Sequence, residues 1–185
     1  VFKEKLGKLL FLEINSKGFK ESVKIPSHVE FKNKDLYIPI SPEHLTKNVE
    51  NEIALKNLPI YYFIEGMFFA MGADKNLRFN EDYETILTYI KDTEICIRSV
   101  ISKKIKEDKL IDAYILLKGY YNYSKDKDIM EKLLMVGETL REKDRAFKDI
   151  LLEEIQYSID NNLKIKEAYL YKALILKDAN DFKGA

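Results

Sequence analysis

The sequence predicts a mainly α protein: an α-solenoid of antiparallel helix pairs behind a small N-terminal β or extended segment. Three observations predict it. Up to Ile40 the apolar residues alternate in short runs broken by turn-forming residues. From Ser41 onward they recur at helical spacing. After residue 109 the helix starts become regular, near Leu110, Lys127, Asp144, Ile165 and Phe182, about 17 residues apart with one interval of about 21. A helix of about 14 residues plus a short turn is the repeat unit of stacked helix pairs, each with more apolar face than it can bury alone.

The expected boundaries are 1–40 for the N-terminal segment and 41–185 for the helical domain. In the first, LLFLEI is followed by NSKG, then FKESVKI with Phe19, Val23 and Ile25, and after Pro26 by VEF, KNKD and LYIPI. Leu36, Ile38 and Ile40 share one face at period 2, and the whole reads as short strands forming two hairpins. Pro39 restricts its strand to an edge position or marks a strand end. A competing amphipathic helix over residues 2–14 (Phe2, Leu6, Leu9, Leu10) is weakened by Gly7 and yields to the strand reading.

Ser41 and Pro42 open the first helix of the second region, with Leu45, Val49 and Ile53 in one stripe. Pro59 opens a second, running to about Gly72. A long periodic stretch from about Glu81 to Lys106 is either one helix or two broken near Asp92. The regular series then begins at Leu110.

The last eighteen residues, AYLYKALILKDANDFKGA, carry a family resemblance. Ala168 and Tyr169, then Ala173 and Leu176, stand where a tetratricopeptide repeat has its small residue, first aromatic, close-crossing small residue and large apolar residue. Asn180-Asp181-Phe182 matches its turn, and Ala185 falls on the small residue of the second helix. A second match holds Ala113, Tyr114, Leu117, Tyr121, Met130, Leu134 and Gly137, with Lys118 at the crossing position. A third, over Tyr61 to Asp74, fits with a shifted turn through Gly66 and Phe69. The chain thus resembles the tetratricopeptide repeat family, with degenerate repeats. The resemblance implies a right-handed solenoid whose inner face holds a protein or peptide partner. Transferred position by position, that face comprises Asp112, Ile115, Gly119 and Asn122, then Glu167, Leu170, Leu174 and Lys177.

Composition narrows the class of function. The 185 residues hold 31 basic and 31 acidic side chains, so no excess of positive charge favours nucleic acid. The most apolar run, Leu58 to Ala73, is shorter than the ~20 residues a membrane span needs and carries Glu65 in its middle. The single cysteine, Cys96, sits in an apolar-periodic run and reads as core in a reducing, cytoplasmic setting. Abundant Lys, Ile and Asn suggest an AT-rich bacterial genome. No phosphate loop, dinucleotide fingerprint, HExxH or paired CxxC is present, so neither enzyme, cofactor nor metal is expected. His28 and His44 read as surface or capping residues, and the aromatic clusters around Tyr61–Phe69 and Tyr120–Tyr123 as inter-helix core.

The expected function is therefore a protein- or peptide-binding scaffold without catalysis. The alternative is a regulatory or structural domain whose groove is filled by its own N-terminal segment or by a second copy. Because the chain starts at Val1 and stops inside an expected repeat, the reading also expects a piece of a longer protein. Its last helix would then be free to self-associate.

Overall fold

A computed structural model describes residues 1–50 and 57–183, with side chains for 1–47 and 57–180. Ile53 and Ala185 lie outside the described residues, and the side chain of Val49 outside the described side chains.

The chain is mainly helical, with one small sheet among the described residues. Helix α1 (Phe2–Leu6) ends at Gly7. Strand β1 (Leu10–Glu13) pairs antiparallel with β2 (Tyr37–Ile40), Leu10 opposite Ile40 and Glu13 opposite Tyr37. Leu36, Ile38 and Ile40 are all buried, as their alternation predicts. The stretch FKESVKI differs from expectation. It belongs to a helix, α2 (Ser16–Val23), whose N-terminus is capped by the Asn15 side chain accepting from Lys17 N (3.1 Å) and Gly18 N (3.2 Å). Phe19 and Val23 are four apart, a spacing that serves one helix face as well as one strand face, and the cap decides between them. VEF forms no strand either, so there is one long-range strand pair where two hairpins were expected.

Helix α3 (Pro42–Glu50) starts at the predicted proline. Helix α4 (Ile60–Ala73) follows Pro59 and is apolar around its whole circumference, so it is surrounded: β2, α1 and the helices after it pack against it. The Glu81–Lys106 stretch is two helices, α5 (Asn80–Tyr89) and α6 (Thr93–Lys106). Asp92 turns the chain with φ 59°, and Thr93 Oγ1 closes the break by donating to Leu87 O (2.9 Å) and Ile90 O (3.0 Å).

Helices α7 (Leu110–Ser124) and α8 (Lys127–Lys143) start at the predicted residues. A 3-10 turn over Arg145–Phe147, capped by Asp144, leads into α9 (Lys148–Asp160). Helix α10 (Lys166–Lys183) starts one residue after Ile165 but runs straight through Asn180-Asp181-Phe182, where a turn was expected. No glycine or proline stands there to stop it, and Asn at that point tolerates helix at a cost of only tenths of a kcal/mol, about 0.7 at most. Ala173 accordingly meets no crossing helix and is exposed.

The α4–α7 crossing is made backbone to backbone. A Cβ added at Gly72 would lie 1.8 Å from the Ile115 carbonyl oxygen, and one at Gly119 1.9 Å from that of Phe68. Gly66 approaches β2 the same way, 1.8 Å from the Pro39 carbonyl oxygen.

The N-terminal segment shares the helical core. Phe2 packs against Tyr114 and Phe147 (5.7 and 6.0 Å between ring centres), and Ile25, Leu36 and Ile38 join the same cluster as α4 and α7. Buried Asp82 of α5 pins the intervening loop, accepting from Lys32 N (2.6 Å), Asn33 N (3.1 Å) and Asn33 Nδ2 (2.8 Å). Replacing Asp82 with Ala leaves two backbone donors without their acceptor and should cost about 2–3 kcal/mol in a denaturant titration.

Candidate functional site

The eight inner-face residues implied by the repeat resemblance are not brought to one surface. On α7, Ile115 is buried at the α4 crossing, Gly119 touches the α4 backbone, and Asn122 Nδ2 donates to Met71 O at 3.3 Å. Asp112 is ion-paired with Lys5 of α1 at 2.5 Å. On α10, Leu170 and Leu174 are 55 % and 37 % exposed, Lys177 is exposed and Glu167 half-buried. The two helices have different neighbours. Lys118–Glu154 and Tyr121–Tyr157 (3.4 Å) tie α7 to α9, whereas Arg141–Asp178 (2.7 Å) ties α8 to α10.

A groove opens between α6, α7, α8 and Tyr171 of α10. Helices α6 and α8 both pack on α7 but not closely on each other. The gap holds about 570 Å³. Its floor is Leu117 and Ile129, both buried, and its walls are Ile105 and Met135, 42 % and 50 % exposed. Arg98 and Lys132 stand at the rim, Arg98 steadied by donating from Nε to Tyr120 Oη at 2.9 Å. Glu138, on the same lining, is neutralised by a two-pronged contact with Arg141 (2.8 and 2.7 Å). The groove is thus apolar with a positive rim.

A second groove of about 520 Å³ lies between α5, α7 and α9 and is polar. Its lining mixes both signs of charge, and Lys118 and Glu154 pair with each other across it. Burial pushes the Glu84 carboxyl up against the opposing pull of Lys125. Burial and the Tyr157 contact likewise hold Tyr121 protonated.

The remaining polar cluster is internal. Glu65, the charge inside the apolar run of α4, accepts from Lys104 Nζ through Oε1 (3.2 Å) and contacts His44 Nε2 through Oε2 (2.7 Å). All three side chains are 15 % exposed or less. The His44 ring stacks on Tyr62 at 3.9 Å and 10°. His44 therefore does more than the capping or surface role its position suggested, and the signal for it was Glu65, which needed partners to be buried. Burial pushes Glu65 upward, but the His44 hydrogen bond and the Lys104 charge outweigh it and hold the carboxyl below its ordinary range. Burial, aided by the Glu65 charge, raises the Cys96 thiol, the opposite of what a nucleophile needs. Among the described residues no group of His, Cys, Asp and Glu is arranged to hold a metal ion, and no helix is long and apolar enough to cross a membrane.

No family model, curated protein or solved structure matches this chain. Its chemistry is therefore argued from geometry alone. The internal cluster links α3, α4 and α6, and the polar groove carries charges of both signs. Two apolar grooves remain among the described residues: one of about 880 Å³ lined by Leu12, Phe19, Val23, Phe63 and Ile90, and the α6–α8 groove, which also carries the positive rim of Arg98 and Lys132.

Proposed function

We propose that the chain is a cytoplasmic protein-binding scaffold, a tetratricopeptide-like right-handed stack of helix pairs without catalysis of its own. Its α6–α7–α8 groove takes an apolar segment of a partner protein flanked by acidic residues. The observation that carries this reading is the pair of exposed apolar walls, Ile105 and Met135, over a buried apolar floor. Contiguous apolar surface of this kind has a partner more often than not, and a flexible thioether adapts to varied side chains. Arg98 and Lys132 supply the preference for acidic flanks. The alternation of α7 and α9 against α8 and α10 supports the solenoid reading. The partner site lies on α6–α8 in this proposal, since the inner-face positions of α7 are occupied by α4.

A second reading, a structural domain serving as its own ligand, is favoured by Phe2, Lys5 and the loop held by Asp82. That segment covers α4 and the start of α7, and none of it lines the α6–α8 groove.

The test is selection of displayed random peptides on the immobilised chain, with Ile105→Glu and Met135→Glu as counter-targets. Enriched peptides should carry apolar anchors flanked by Asp or Glu and bind each variant about tenfold or more weakly. Both side chains are largely outside the core, so the variants should melt within about 0.5 kcal/mol of the parent. Failure to enrich, or equal binding to parent and variants, overturns the reading.

A further inference from the structure

We propose that the outer face of α10 is a self-association surface on which two copies of the chain pair helix against helix, antiparallel. The inward side of α10 is satisfied: Ile165, Ala168 and Ile175 are buried against α8 and α9. The opposite side is not. Leu170 and Leu174 project from it, Ala173 lies between them as a low point, and Tyr169 and Leu176 flank the same seam, more than half exposed.

What identifies the occupant is the symmetry of the pattern. Glu167, Leu170, Leu174 and Lys177 are spaced three, four and three residues apart, so the set is its own mirror image about position 172. A twofold axis through that position, perpendicular to the helix, sets Leu170 of one copy against Leu174 of the other. It also sets Glu167 against Lys177, twice. An interface about a twofold axis must be self-complementary in this manner, residue i meeting j and j meeting i. A parallel pairing would instead oppose Glu167 to Glu167 and Lys177 to Lys177. Neither Glu167 nor Lys177 forms an ion pair with any described residue of its own chain, so both are available to a second copy. Small Ala173 lets the two backbones approach at the middle of the contact. One helix pair is a small interface, so the dimer forms and dissociates with concentration.

This inference is independent of the α6–α8 groove: none of Glu167, Leu170, Leu174 and Lys177 lines it, Tyr171 being the residue of α10 that does. Sedimentation velocity over a concentration series tests it. The parent chain should pass from monomer to dimer as concentration rises. Glu167→Lys and Lys177→Glu should each weaken association about tenfold or more, since each places like charges opposite one another at both ends of the seam. Mixing the two variants should restore a dimer, because one copy then carries only Lys at these positions and the other only Glu. The doubly swapped chain should dimerise like the parent. All substituted positions lie outside the core, and circular dichroism of each variant checks that it folds. A parent that stays monomeric at its highest soluble concentration overturns the proposal. So do single swaps without effect, or variants that do not associate when mixed.

Discussion

Gly119→Ala should unfold the protein or cost it more than about 3 kcal/mol, beyond the common range for an overpacked core. The added carbon would sit 1.9 Å from the Phe68 carbonyl oxygen, 2.8 Å from its carbon and 3.0 Å from Gly72 N. Those obstacles are backbone. A crowded side chain can change rotamer, but here one whole helix must move, and α4 is held on its far side by β2 through Gly66. Gly18→Ala is the control. Its new carbon would approach only Asn15 Oδ1, at 4.0 Å, in exposed α2, where alanine favours helix by about 1 kcal/mol. Thermal and urea melts of the two variants should move in opposite directions. Parent-like stability for Gly119→Ala would show that α4 and α7 are not in backbone contact.

Glu65→Gln should cost about 3–5 kcal/mol, because it leaves Lys104 buried without the charge that compensates it. Glu81→Gln, which breaks an exposed pair with Lys32, should cost about 1 kcal/mol or less. The Glu65 carboxyl titrates below its ordinary value in the folded state, so its contribution is complete above the unfolded value, near 4.5. It is lost as pH falls from there through the depressed folded value. The parent should therefore lose stability on acidification below about pH 4.5 more steeply than Glu65→Gln does. Equal slopes for the two proteins in that window would mean that Glu65 is not held ionised by His44 and Lys104.

The parts of the fold legible in the sequence are those where local signals act alone. Pro42 and Pro59 open helices α3 and α4 as they should, and α7 and α8 start on the predicted residues, α8 with the Asp126 side chain as its cap. In the N-terminal segment the signals conflict. Phe19 and Val23 suit either period, and only the Asn15 cap separates α2 from a strand. At the other end, Asn180-Asp181-Phe182 looks like a turn when read against a repeat, but nothing in the residues themselves breaks the helix.

The functional surface was the least legible part. The repeat resemblance put residues of α7 and α10 on one face, whereas Ile115 and Gly119 of α7 are buried against α4 and Leu170 and Leu174 of α10 are exposed. Gly66, Gly72 and Gly119 look scattered along the chain because their common purpose, backbone contact, joins positions far apart in sequence. Glu65 was visible as an odd charge in an apolar run, yet its partners lie 21 and 39 residues away on either side. The groove walls Ile105 and Met135 belong to helices that never touch closely, so no local pattern could join them.

The central position of α4 also has a consequence for synthesis. Ten of its fourteen residues end up buried, and its main partner, α7, ends about 50 residues later in the chain. At a translation rate of about 5–20 residues per second, roughly 3–10 s separate the completion of the two helices. Through that interval α1, β2, α5 and α6 can each cover part of α4, but Phe68 and Gly72 still wait for their α7 partners Tyr120 and Ile115. An apolar helix short of its main partner is therefore present on every round of synthesis. The order of the genes' codons, and not the strength of the final contact, sets how long it stays open to other chains.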